Sequence, residues 1–257
     1  MQSILFKIGS VSVPAHSFML SLAFIIGALI AIGFCKKQII SINNIFVLII
    51  LIQISGILGS RLLFVINNYS QFKTVLLKVF SLSLGGFAFT GGLFLSILVA
   101  IIYIKLTKLP FWKISDCLVP SIAVGIFLTK IGCFLGGCCY GKETSSFLGV
   151  QFPADSLAAQ KFGVQHLVHP TQLYEAFSGL IILAIAILYV PKHRKFEGQL
   201  FLSFMTLYLI GRTLNESFRG DAVHNYIFNL SQTQFLNIIF IFLAILVYWM
   251  KAKAVKI

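Results

Sequence analysis

The chain has 257 residues, 58% of them hydrophobic and only 11% charged, with a mean hydropathy of +0.97. Soluble domains carry about a quarter charged residues, so this composition argues against a cytosolic enzyme, and the 26 Phe among abundant Ile and Leu exclude intrinsic disorder. The net charge of +13, from 20 Lys and Arg against 7 Asp and Glu, does not point to a nucleic-acid partner, because the charges fall between apolar runs as the positive-inside rule of membrane proteins requires.

A bilayer crossing needs about 20 mostly apolar residues, and seven runs approach that length. The first, Ser17 to Cys35, ends at Lys36 and Lys37. No small-x-small cleavage site follows it, and Phe34 before Cys35 is a poor lipoprotein-processing site, so it reads as a retained helix. The second, Ile45 to Val65, carries Arg61. The third, Phe87 to Ile104, precedes Lys105, Lys108 and Lys113, and the fourth, Ile114 to Phe134, contains Asp116 and Lys130. Both contain Gly or Pro, which membrane helices tolerate. A glycine-rich stretch with Cys133, Cys138 and Cys139 leads through an irregular segment to the fifth run, Gln172 to Val190, which holds Glu175. Lys192, Arg194 and Lys195 follow, then the sixth run, Leu200 to Phe218, with Arg212 and Glu216. The seventh, Phe235 to Met250, ends in Lys251, Lys253 and Lys256.

The basic clusters follow runs one, three, five and seven, so one face is cytoplasmic and the N-terminus lies outside with the segments around 66–86, 135–169 and 219–234. The expected fold is an all-α polytopic membrane protein, a single domain over 1–257 with about seven transmembrane helices and a polar cavity facing the periplasm. Charges inside a membrane cost a few kcal/mol or more and need partners or a wet cavity. Arg61, Asp116, Lys130, Glu175, Arg212 and Glu216 are such charges; Asp116, nearest the cytoplasmic end, reads as structural. Arg212 and Glu216 share a helix face at i, i+4 and could neutralise each other. Three cations, Arg61, Lys130 and Arg212, in one cavity suit a phosphate carried on a lipid. No Walker A, HExxH or GxSxG sequence occurs. The cysteines fit no common zinc spacing and no disulfide framework, so small residues closing a helix end is the plainer reading, and neither a metal nor a cofactor is expected. A disulfide on an oxidising face stays open, although adjacent Cys138 and Cys139 would not pair with each other.

Five motifs then appear in order: Gly59-Ser-Arg61, GGFAFTGGL from Gly85 to Leu93, KIGCFLGGCCYG from Lys130 to Gly141, HPTQLYE from His169 to Glu175, and GRTLNESFRGD from Gly211 to Asp221. Together they resemble the prolipoprotein diacylglyceryl transferase family over nearly the whole chain. The resemblance implies a multi-pass enzyme of the bacterial inner membrane. Its substrates would be phosphatidylglycerol, drawn from the surrounding bilayer, and the lipobox cysteine in the signal peptide of a preprolipoprotein. Diacylglyceryl would pass to that thiol, forming a thioether and releasing glycerol phosphate. By position, Arg212 stabilises the headgroup, Glu216 orients it or handles a proton, and Thr90 and His169 complete the catalytic set. Lys130, Arg61, Cys133, Cys138, Tyr174 and Arg219 join Arg212 in binding substrate.

Departures from the family pattern are specific. Thr90 stands where the best-known form has a histidine proposed as the base, and a threonine cannot act as a base near neutral pH. Lys130 replaces an arginine, Cys133 and Cys138 replace Asn and Glu, and Ala15-His16-Ser17 replaces Trp-Tyr-Gly. Glu216, His16 or His169 could take over as base, or the positive site could itself lower the thiol pKa. A paralogue with another acceptor and a non-catalytic phospholipid-binding protein are the alternatives.

Overall fold

The computed structural model describes residues 4–9, 11–72, 86, 88–189, 194–221 and 226–254. Parts of the expected sequence features, including Gly85, Phe87, Val190, Lys192 and Lys256, lie outside the described residues.

The elements in chain order are β1 (Ile4–Ile8), β2 (Val11–Pro14), α1 (Ala15–Lys37), α2 (Ile42–Asn67), α3 (Tyr69–Phe72), α4 (Phe89–Leu106), α5 (Phe111–Gly136), α6 (Leu157–Phe162), α7 (Thr171–Tyr189), α8 (Gln199–Glu216), β3 (Tyr226–Ile227), β4 (Leu230–Ser231) and α9 (Gln232–Ala254). Every expected span coincides with a helix, and the protein is an all-α polytopic membrane protein. Among the described residues, α1, α2, α4, α5 and α9 are long and apolar enough to cross a bilayer, and α7 adds a shorter apolar stretch from Thr171 to Ile185. The sixth expected span is α8, whose polar residues serve the site described below. Side chains that would be strange on a soluble protein are exposed along these helices, as with Leu29, Phe94 and Phe242, and in a bilayer they meet acyl chains.

Two antiparallel hairpins, β1–β2 and β3–β4, were not expected. The second turns through Phe228 and Asn229, both at positive φ (51° and 62°), as a two-residue turn of this handedness requires. It ends in a capping box: Ser231 Oγ accepts from Gln234 N at 3.1 Å and Gln234 Oε1 accepts from Ser231 N at 3.0 Å. That reciprocal pair starts α9 at a defined residue.

The chain forms two compact units, residues 1–31 with 115–257 and residues 32–114. In the second unit α2 lies against α4 through glycines. A Cβ on Gly59 would sit 2.5 Å from Gly91 O, one on Gly91 2.4 Å from Gly59 O, and one on Gly92 2.6 Å from Gly56 O. Close backbone approach of small residues is how helices associate where no water is available to drive them together. The GGL glycines of the third span are therefore accounted for by helix packing. Ser96 Oγ adds a hydrogen bond to Ile52 O at 3.0 Å.

In the first unit α8 packs between α7 and α9. Val119, Ala123 and Phe204 form a fully buried core, and the Phe204 ring stacks on Tyr208 with planes 6° apart. Gly198 opens α8 at φ 93° with no cap of its own. Asp116 supplies one from α5: its Oδ2 accepts from Gly198 N at 2.8 Å, its Oδ1 accepts from Phe201 N at 2.9 Å, and Arg194 approaches at 3.4 Å. A carboxylate is stabilising at a helix N-terminus, so the structural reading of Asp116 has a geometric basis.

Candidate active site

The polar residues of α5, α7 and α8 converge on Glu175. Its Oε2 lies 3.0 Å from Lys130 Nζ and 3.6 Å from Arg212 Nε, while its Oε1 accepts from the Tyr208 hydroxyl at 2.7 Å. Arg212 Nη1 reaches Glu216 Oε2 at 2.5 Å, and Glu216 Oε1 accepts from Ser231 Oγ at 3.4 Å. Asn215 Nδ2 donates to Thr171 O at 3.0 Å and lies 3.5 Å from Glu175 Oε2. The carboxylates are nearly sealed, with Glu175 and Glu216 side chains 4% and 3% exposed, whereas Lys130 and Arg212 retain 17% and 16%. The carboxylates are thus the more deeply buried members of the cluster, and each cation keeps part of its surface uncovered.

α7 begins against the cysteine turn. Thr171 Oγ1 donates to Cys139 O and Gln172 Nε2 to Cys138 O, both at 2.7 Å. Gly137 (φ 67°) and Cys139 (φ 59°) bend the backbone after α5, and a Cβ on Gly137 would lie 2.4 Å from Ser156 Cβ. The fold of the α5–α7 connection depends on two more glycines: a Cβ on Gly141 would meet His169 O at 2.5 Å, and one on Gly220 would meet Gly141 O at 2.3 Å. Small residues do close this helix end, as Gly132 also shows by lying under His16 and Met19 of α1.

His169 precedes α7 and its Nδ1 is 3.0 Å from the Tyr174 hydroxyl. Its ring and those of Tyr174 and Phe218 form an edge-to-face group with centroids 5.2–6.3 Å apart. Arg219 is held by Asp221 through two parallel bonds of 2.7 and 2.8 Å. The Asp221 carboxylate raises the Arg219 pKa against the opposing effect of burial. Hydrogen bonds from Cys133 and Cys138 push the Cys139 thiol well below its ordinary pKa, and Lys130 and Arg219 add to this against burial. None of the five cysteines is joined in a disulfide.

Arg61 and Thr90 belong to the second unit. Arg61 Nη1 donates to Gly86 O at 3.2 Å, and its guanidinium lies 5.6 Å from the ring centroids of both Phe64 and Phe72. Thr90 is exposed in the first turn of α4.

The sequence reading singled out Lys130, Arg212 and Glu216 but passed over Tyr208 and Asn215, both neutral. Tyr208 stands one turn before Arg212 on the same face of α8, which was the available signal. Glu175, one of the charges expected inside a span, is the hub.

The sequence profile of the prolipoprotein diacylglyceryl transferase family matches residues 3–250. The chain belongs to this family. The phosphatidylglycerol–prolipoprotein diacylglyceryl transferase of Clostridium tetani is 30% identical over 251 residues, covering 96% of this chain and 97% of the relative. The phosphatidylglycerol–prolipoprotein diacylglyceryl transferase 2 of Clostridium perfringens is 31% identical over 252 residues, with 96% and 94% covered. A Clostridium botulinum transferase of the same name is 27% identical over 245 residues, 95% of each chain. Within this diacylglyceryl transferase fold, three of the motifs build the Glu175 cluster: KIGCFLGGCCYG through Lys130, HPTQLYE through Thr171 and Glu175, and GRTLNESFRGD through Arg212, Asn215 and Glu216.

Proposed function

We propose that the protein transfers diacylglyceryl from phosphatidylglycerol to the lipobox cysteine of a preprolipoprotein. The thiolate sulfur attacks the glyceryl carbon that carries the phosphate, the carbon–oxygen bond breaks, a thioether forms, and glycerol phosphate leaves. The observation that carries this reading is the pairing of charge: Glu175 and Glu216 buried, Lys130 and Arg212 held against them with part of each cation uncovered. Donors already aimed where negative charge develops stabilise a transition state without reorganising during the step.

In this mechanism Arg212 binds the phosphate and stabilises it as it departs, and Glu216 holds the guanidinium in the required orientation. Lys130 adds a second positive charge as a point donor. Arg219 is a further headgroup contact, and Cys133, Cys138 and Tyr174 line the binding region. His169 accepts the thiol proton. Its residue type can do so near neutral pH, and its Nδ1 is already occupied by Tyr174 at 3.0 Å, which fixes the ring. Residues 1–257 act as one integral-membrane domain, with the N-terminus outside and the C-terminus cytoplasmic. Lys36 and Lys37 at the end of α1, Lys105 at the end of α4, Lys113 at the start of α5, Arg194 before α8, and Lys251 and Lys253 at the end of α9 support that orientation, since they follow the first, third, fifth and seventh spans.

The test is rescue of a bacterium depleted of its own transferase, with mass spectrometry of a reporter lipoprotein. Growth with diacylglyceryl on the lipobox cysteine is expected. Correct membrane insertion without that adduct would overturn the reading.

A further inference from the structure

We propose that Cys133, Cys138 and Cys139 form a three-thiolate site for a thiophilic d10 cation of the zinc(II) type, with solvent water as a fourth ligand. Their three Sγ atoms lie within 4.8 Å of one another. Three sulfurs around a tetrahedral zinc, each at about 2.3 Å, are about 3.8 Å apart, so a small contraction suffices.

The convergence is a product of backbone geometry. Cys133 lies in the last turn of α5, and the positive φ values of Gly137 and Cys139 fold the chain back so that Cys138 and Cys139 return over it. No common zinc spacing has this form. The sulfurs meet because two residues take a conformation that spacing does not announce.

The surroundings suit an ion. Cys133 is buried, while Cys138 and Cys139 line an open cleft with Tyr140, Lys161 and Asp221, which gives a route in and a place for water. Each thiol releases its proton to solvent as its metal–sulfur bond forms. Three thiolates on a divalent ion leave one net negative charge. The cysteine turn is also tied to the site of transfer. The Cys138 and Cys139 carbonyls accept from Gln172 and Thr171, and the Thr171 carbonyl accepts from Asn215, which neighbours Glu175. A bound ion would therefore fix the start of α7.

The experiment uses the full chain purified in detergent with a non-thiol reductant. Titration with Cd2+ should give a thiolate-to-metal charge-transfer band that saturates at one equivalent and is competed away by Zn2+. Cys139→Ser should weaken binding at least tenfold, and Cys35→Ser should leave it unchanged. On the unaltered chain, Zn2+ should slow alkylation of Cys133, Cys138 and Cys139 relative to a chelator-treated sample, which keeps the test independent of how a variant folds. No band, a band that survives Cys139→Ser, unprotected thiols, or a disulfide among the three in protein isolated without reductant would each overturn the proposal.

Discussion

Glu175→Gln is the perturbation that the cluster geometry makes most quantitative. The substitution keeps size and hydrogen-bonding capacity but removes the charge that faces Lys130 at 3.0 Å and Arg212 at 3.6 Å. With an effective dielectric constant of about 20, those separations correspond to gross attractions of about 5 kcal/mol each. Desolvation of the buried carboxylate offsets several kcal/mol of that, and the experience with buried pairs stripped of one partner is a net loss of about 3–5 kcal/mol. The amide oxygen can still accept from Tyr208, but its NH2 group would then face two cations. The expected loss is therefore about 3 kcal/mol or more, read as unfolding of the purified protein in mixed micelles by increasing SDS. Adding Lys130→Met to Glu175→Gln should recover part of it, because the orphaned cation is then gone. A loss below about 1 kcal/mol, or no recovery in the double variant, would show that the cluster is hydrated and that Glu175 is not its hub.

Four further outcomes are expected. Lys130→Arg should keep or raise transferase activity, since a guanidinium supplies a two-pronged phosphate contact at the same place, and collapse of activity would assign Lys130 another task. His169→Gln should lower the maximal rate at least a hundredfold with little change in stability, in keeping with loss of a general base, and a rate within threefold of wild type would refute that role. Gly91→Ala should destabilise the protein by about 1–3 kcal/mol through overpacking, because its new Cβ would lie 2.4 Å from the Gly59 carbonyl oxygen. Gly33→Ala, where no neighbouring atom of the described residues would lie within 4 Å of the new Cβ, should instead be neutral or stabilising in the same unfolding assay, by up to about 1 kcal/mol.

What was legible in the sequence follows from which signals survive without coordinates. Apolar runs announce spans because bilayer thickness sets their length, and α1, α2, α4, α5, α7, α8 and α9 all fall where those runs do. Charges inside spans announce the site because they are costly there, which is why Lys130, Glu175, Arg212 and Glu216 stood out. Tyr208 and Asn215 carried no such cost signal, and their roles rest on an orientation that only α8 in place reveals. The β3–β4 hairpin depends on positive φ at Phe228 and Asn229, and the thiol cluster on positive φ at Gly137 and Cys139. Of these four residues only one is glycine, so composition gave little warning. The glycines of the third span resembled a functional motif, yet Gly91 and Gly92 are required by contact with Gly59 and Gly56.

The most direct test of the central claim compares wild type with Arg212→Ala, using purified protein, phosphatidylglycerol in detergent micelles and a peptide bearing a lipobox cysteine. Mass spectrometry reads the diacylglyceryl thioether, and free glycerol phosphate is measured alongside it. Wild type should form both products in equal amounts, and Arg212→Ala should lose on the order of a hundred- to a thousandfold in rate, as for removal of a fixed donor to developing negative charge. An Arg212→Ala protein that keeps most of its activity, or a wild type that forms neither product, would contradict the account.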